Sequence, residues 1–233
     1  MRLFCLPPAG SGASPFRAWA RALPDGIELC PIQLPGREER LTERPYDRLA
    51  PLVDALAGAL RDHLDRPFAL FGHSMGALLA FELARALRRD GAGLPLLHLF
   101  VSGYRAPHLP DPDPPLHPLP GPAFWDEVRR LNGTPTVVLD NAELRRLVEP
   151  TLRADFAVHE TYAHEPGEPL ACPISVFGGL DDQEVSRGQL EEWRRHARGP
   201  FILRMLPGDH FFIHPSRDAL LRAIAEDLAV ASA

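Results

Sequence analysis

The chain contains no lysine; all 25 basic residues among its 233 are arginine. That absence excludes a phosphate-binding loop lysine, a lysine Schiff base and a serine–lysine dyad, each of which needs a side-chain amine. Cysteine is scarce as well. Cys5, Cys30 and Cys172 lie far apart and each adjoins a strand-like run, a pattern of small buried hydrophobes and not of a disulfide framework or a metal set. No run of eighteen apolar residues occurs, so no segment reads as a membrane span. The N-terminal stretch Met1 to Leu6 reaches Pro7 and Pro8 too soon for the apolar region of a signal peptide, and a cytoplasmic protein is expected. Positive charge is in deficit: 25 basic against 31 acidic residues give a net charge of −6, which argues against nucleic acid or an anionic membrane as the main partner.

Apolar residues, by contrast, are plentiful at 45%, enough for a full core, and one domain spanning residues 1–233 is expected. Short apolar runs alternate with helical patterns. Leu3 to Leu6, Ile27 to Ile32, Phe68 to Phe71, Leu96 to Ser102, Ile174 to Phe177 and Phe201 to Leu206 read as strands. Trp19 to Leu23, Leu49 to Leu64, Ser74 to Arg89, Arg187 to His196 and Pro215 to Val230 read as helices, with Gly91 and Gly93 as the stop after the third of these. This alternation predicts an α/β fold, a mostly parallel central sheet with helices on both faces and a ligand site at the carboxyl ends of the strands. Between Pro107 and Pro122 eight of sixteen residues are proline, which no strand or helix interior accepts. Helical patterns follow over Ala123 to Leu131, Asn141 to Val148 and Pro150 to Tyr162. Residues from about 105 to 170 are therefore predicted to be a helical lid insertion beside the catalytic edge.

Gly72-His73-Ser74-Met75-Gly76 follows the strand Phe68 to Phe71 and leads into a helix. A serine on such a turn is held clear of its neighbours with its hydroxyl exposed, and the next backbone N–H is free to bind an oxyanion. Gly72 and Gly76 occupy positions where a Cβ would strike the adjoining strand or helix. A serine hydroxyl needs a base, and the base needs a carboxylate to fix its tautomer. His210, in Gly208-Asp209-His210-Phe211-Phe212, lies just past the last strand on the same sheet edge. His214 is its nearest competitor. The two could also be an i,i+4 metal pair, but Pro215 follows and no glutamate partner is present; no metal is expected. His73 is expected to point away along the turn.

The carboxylate should follow the strand before the last. Asp182 fits the Gly179, Asp182, Val185 spacing of that turn, with Asp181 as the second choice and a turn-forming role for whichever of the two is not catalytic. The order Ser74, Asp182, His210 is that of the α/β-hydrolases. Ala9, in the loop after the first strand, and Met75 are the expected backbone N–H donors of an oxyanion hole.

Pro7-Pro8-Ala9-Gly10, Ser14-Pro15-Phe16-Arg17-Ala18-Trp19, Gln33-Leu34-Pro35-Gly36-Arg37-Glu38, the Gly72 to Gly76 turn, Ser102-Gly103 with Ala106-Pro107, the Gly178 to Asp182 turn and Gly208 to Phe212 together resemble the type II thioesterases that accompany polyketide synthases and nonribosomal peptide synthetases. Pro35 to Glu38, with the Phe16 and Trp19 spacing, is the most discriminating part. Ser11 and Pro8 depart from the family pattern, which commonly has glycine at the former and an aromatic or histidine at the latter. The resemblance implies hydrolysis of acyl groups from the phosphopantetheine arm of an acyl or peptidyl carrier protein, without a cofactor, by an enzyme expected to be a monomer. It also implies a lid in which Phe124, Trp125, Leu131, Leu144, Leu147, Val148 and Phe156 line an acyl chamber, although apolar residues at helical spacing more often pack as a local core. Carrier proteins of such systems are acidic, and Arg37, Arg40, Arg44 and Arg48 form a candidate docking cluster whose ordinary alternative is a solvated surface. The alternatives within and beyond this class are a product-releasing thioesterase or carboxylesterase of the same fold, and a hydrolase-fold protein that binds without turnover.

Overall fold

The computed structural model describes residues 1–89, 91 and 96–231. In chain order the elements are β1 (Arg2–Leu6), α1 (Ser14–Arg17), β2 (Glu28–Pro31), α2 (Leu49–Leu60), β3 (Phe68–His73), α3 (Met75–Arg89), β4 (Leu96–Ser102), α4 (Gly121–Arg130), α5 (Thr136–Leu139), α6 (Ala142–Glu160), β5 (Ile174–Gly179), α7 (Arg187–Glu191), β6 (Phe201–Leu206) and α8 (Arg217–Ala231). The six strands form one sheet in the order β2-β1-β3-β4-β5-β6, and every neighbouring pair is parallel. The chain leaves β1 for the edge strand β2 and then crosses back to β3 on the other side of β1. The strand order thus reverses between β1 and β3, and a crevice opens outside the carboxyl ends of those two strands.

The alternation of side chains along the strands builds two apolar layers. Phe4, Leu6, Phe68, Leu70, Leu99, Val101, Ile174 and Val176 pack with α2 and α3 on one face. Leu3, Cys5, Ala69, Phe71, Phe100 and Phe177 pack with Phe16, Trp19 and α8 on the other. Strands covered on both faces are apolar at consecutive positions, which is why the short runs were legible as strands. The segment between β4 and β5 has a third, smaller core of its own around Phe124, Trp125, Val128, Leu139, Leu152 and Phe156.

Several predicted elements differ in detail. Asn141 to Val148 and Pro150 to Tyr162 are not two helices but one, α6, which runs through Pro150. Proline removes one internal hydrogen bond, yet Asn141 caps the helix through the Glu143 and Leu144 N–H groups and the buried face beyond Pro150 holds it to the core. The helix expected over Trp19 to Leu23 begins earlier, as α1 followed by a 3-10 turn over Ala18–Arg21. The helices that follow β2 and β5 likewise end in 3-10 turns, Arg61–His63 and Glu192–His196. The last helix starts at Arg217 and not at Pro215. Gly91 follows α3 with φ +64°; Gly93, the other expected stop, lies outside the described residues. The three cysteines are free; Cys5 is buried, while Cys30 and Cys172 are only half-buried.

Candidate active site

Ser74 lies directly after β3, and α3 begins one residue later than the sequence pattern suggested. Its φ is +53°, a left-handed conformation that costs an L-residue energy and persists only where the surroundings over-determine it. Those surroundings are visible. The Ser74 N–H donates to Ser102 O at 2.8 Å, and Ser74 O accepts from Ala77 N–H at 2.8 Å. A Cβ on Gly72 would collide with the Gly76 carbonyl, and one on Gly76 with the Leu6 carbonyl at the end of β1. Strand, turn and helix can therefore close on one another only with glycine at both positions. Met75, fully buried, is the first residue of α3 and has no intrahelical acceptor for its N–H. Ala9 follows β1 at the same sheet edge. Neither the Ala9 nor the Met75 N–H donates a hydrogen bond among the described residues.

His210 lies in the loop after β6, and its Nδ1 is 2.9 Å from Asp182 Oδ2. The Asp182 side chain is fully buried there, and its other oxygen accepts from the Glu184 and Val185 N–H groups at 2.8 and 3.1 Å. Three donors converge on one carboxylate. Asp181 is exposed and makes only a backbone contribution, its N–H donating to Gly208 O at 2.9 Å. His214 is exposed beside Phe211. Ser74, Ala9 and His210 line one cavity of about 140 Å³. Among the described residues the Ser74 hydroxyl has no hydrogen-bond partner, as is common before substrate binding draws nucleophile and base together. The arrangement supplies what acyl transfer requires: an unpaired hydroxyl on the cavity wall, an imidazole held by a carboxylate, and two free N–H groups at the same edge.

His73 is not among the residues that line the Ser74 cavity. It is buried, its ring centroid 5.2 Å from that of His210, with Nδ1 3.0 Å from Ser102 Oγ. Burial pushes its pKa well below the ordinary histidine value of 6.5, and the nearby His210 and His214 push the same way. A neutral ring thus backs the imidazole of His210.

A family model described as "Thioesterase domain" matches residues 1–228. The chain belongs to the thioesterase domain family. This thioesterase is 45% identical over 228 residues to the gramicidin S biosynthesis protein GrsT of Aneurinibacillus migulanus, a match that covers 98% of this chain and 89% of that protein. It is similar to the solved structure of RedJ, a thioesterase from the prodiginine biosynthetic pathway in Streptomyces coelicolor (44% identity, TM-score 0.89, 97% of this chain and 85% of that one). It is also similar to the type II thioesterase BorB from the borrelidin biosynthetic cluster (40% identity, TM-score 0.88, 97% and 92%). The parallel sheet with its flanking helices is the α/β-hydrolase fold.

In the thioesterase, the segment between β4 and β5 supplies part of the cavity wall. Val128, Leu131, Leu152 and Phe156 line it, with Leu116 from the proline-rich entry. Of the seven residues expected to do so, Leu131 and Phe156 do. Phe124, Trp125 and Val148 belong to the segment's own core, Leu144 does not line the cavity, and Leu147 faces solvent at 51% exposure.

The arginine cluster also divides. Arg40 pairs with Glu43, while Arg44 and Arg48 are exposed. Arg37 is not a surface cation at all. It is 7% exposed and forms a two-pronged pair with Asp155 of α6, Nη1 to Oδ2 at 2.6 Å and Nη2 to Oδ1 at 2.8 Å. Asp155 carries no motif that would have singled it out. The one signal available was that Pro35 to Glu38 is the most discriminating part of the resemblance, while the only role read for Arg37 was that of a docking cation.

Proposed function

We propose that this thioesterase removes acyl groups from the phosphopantetheine arm of acyl or peptidyl carrier proteins, clearing stalled or mis-primed modules of a polyketide synthase or nonribosomal peptide synthetase. The observation that carries the proposal is the Asp182–His210 contact at the edge where Ser74 stands in its strained turn. BorB is a type II thioesterase, and GrsT is named for the biosynthesis of gramicidin S; both similarities support this assignment.

A carboxylate can only accept, so an ionised Asp182 requires the proton of a neutral His210 at Nδ1 and leaves Nε2 as the base. His210 then takes the Ser74 proton as Oγ attacks the thioester carbonyl. The oxyanion is held by the Ala9 and Met75 N–H groups, the latter at the positive end of α3. The pantetheine sulfur leaves with the proton that His210 returns to it, and an acyl-Ser74 ester remains; His210, neutral again, deprotonates the attacking water and passes that proton to Ser74 Oγ as the acid is released. Every proton in this sequence passes through His210. Residues from about 105 to 170 act as a lid over the acyl chain, inserted into a single hydrolase domain that spans 1–233. A monomer suffices for this chemistry, and the cytoplasm, where the carriers are loaded, is its proposed location.

The test is mass spectrometry of carriers loaded with acetyl, propionyl or longer acyl groups. Wild type should clear them and Ser74→Ala should not; carriers left equally acylated by both would remove the proposal.

A further inference from the structure

The loop that carries Ala9 is held from outside itself. Pro8 to Ser11 form a tight turn closed by Ser11 N–H to Pro8 O at 3.1 Å, with Gly10 at φ +73° in the third position, where such turns call for glycine. The plane containing the Ala9 N–H also contains Pro8 O, so this closing bond fixes the direction of the proposed oxyanion donor. The next peptide plane is fixed by Asp155, whose Oδ2 accepts the Gly10 N–H at 2.7 Å. The one after Ser11 is fixed by Arg37, whose Nη1 donates to Ser11 O at 3.2 Å. Arg37 is itself tied to its own loop through Pro35 O, from Nε at 3.2 Å and Nη2 at 3.1 Å. One turn of α6 completes the clamp. Thr151, four residues before Asp155 and so on the same helix face, donates to Gly36 O at 2.6 Å, and Leu152 fills the space where a Cβ on Gly10 would lie.

A buried, paired charge is a poor way to gain stability, because an apolar pair of similar volume often serves as well or better. What the pair does supply is direction: two guanidinium nitrogens and two carboxylate oxygens define a plane, and both members spend a remaining contact on the Ala9 loop. We propose that Arg37 and Asp155 are positioning residues for the oxyanion hole, and that the hole is complete only while α6 is docked against the loop. This rests on the assignment of Ser74 as nucleophile and Ala9 N–H as oxyanion donor. It gives the Pro35 to Glu38 segment a role in transition-state binding and makes the lid helix a condition of catalysis as well as a cover.

The experiment compares wild type, Ser74→Ala, Arg37→Lys and the double variant Arg37→Leu with Asp155→Leu, which leaves no unpaired buried charge. Each is assayed for hydrolysis of an acyl N-acetylcysteamine thioester and for binding of an alkyl trifluoromethyl ketone, which forms a tetrahedral oxyanion adduct on a serine. The double variant should keep KM near the wild-type value, lose on the order of 10- to 100-fold in kcat, and lose affinity for the ketone by the same factor, as removal of a preorganised oxyanion contact does. Arg37→Lys keeps the charge but not the fork, and should show a smaller loss in the same two quantities. Wild-type kcat and ketone affinity in Arg37→Lys, or in a folded double variant, would overturn the positioning role while leaving the active-site assignment intact. A Ser74→Ala protein as active as wild type would overturn that assignment and the positioning role together.

Discussion

His210 Nδ1 meets Asp182 Oδ2 at 2.9 Å, and the second oxygen of the same carboxylate is committed to two backbone N–H groups in its own turn. Asp182 is therefore fixed before it meets the imidazole, and cannot rotate its charge away from the ring. The neighbouring Asp181 holds the turn through its backbone only.

From this it follows that Asp182→Asn should lower kcat by about 10⁴-fold, since an amide presented to Nδ1 permits the wrong tautomer. Asp181→Asn should stay within about threefold of wild type, as exposed turn substitutions usually change little. Steady-state hydrolysis of one acyl thioester by both variants checks this, and the reverse ranking would make Asp181 the carboxylate partner of His210.

Acid should destabilise the fold before the carboxylates titrate. His98 is 3% exposed, lies flat against Phe100, has Nε2 2.9 Å from Ser175 Oγ and leaves Nδ1 without a partner. Burial lowers its pKa from 6.5 to about 4, against the opposing pull of Asp227. The unfolded chain takes up the proton near pH 6.5 and the folded chain only near 4, so stability is full above that window and falls as pH drops through it. The loss from this one residue is bounded at roughly 3 to 4 kcal/mol. Urea unfolding at pH 7 and pH 5 should show the drop, and His98→Gln should reduce it. An equal drop in the variant would mean that other groups are responsible.

Arg44 and Arg48 remain as exposed cations of the candidate docking cluster. If they receive an acidic carrier, reversing both to glutamate should lower kcat/KM for carrier-bound acyl groups by about tenfold and leave free acyl-thioester mimics unchanged. Equal effects on the two substrates would mark them as solvated surface.

Much of this was legible in the chain because the strands are covered on both faces and so read as short unbroken apolar runs. Ser74, Asp182 and His210 stood out for a different reason, the turn glycines and the strand ends beside them. Other features gave no such signal. Pro150 reads as a helix boundary, but tertiary packing carried α6 through it. Arg37 reads as a surface charge, because nothing local reveals that a carboxylate 118 residues away will meet it. Leu147 is the same residue type as Leu152, yet only the latter faces the cavity, a difference set by which face of α6 is turned inward. Long-range pairings and helix orientation are properties of the packed molecule, and no periodicity encodes them.

On the proposed mechanism Ser74 accepts the acyl group from a carrier thioester. Rapid quenching of the enzyme with an acyl-loaded carrier, followed by digestion and mass mapping, tests it directly. The acyl mass should appear on the peptide that contains Ser74 and be absent from Ser74→Ala. Turnover by Ser74→Ala at the wild-type rate, or the acyl group mapped to another residue, would contradict it.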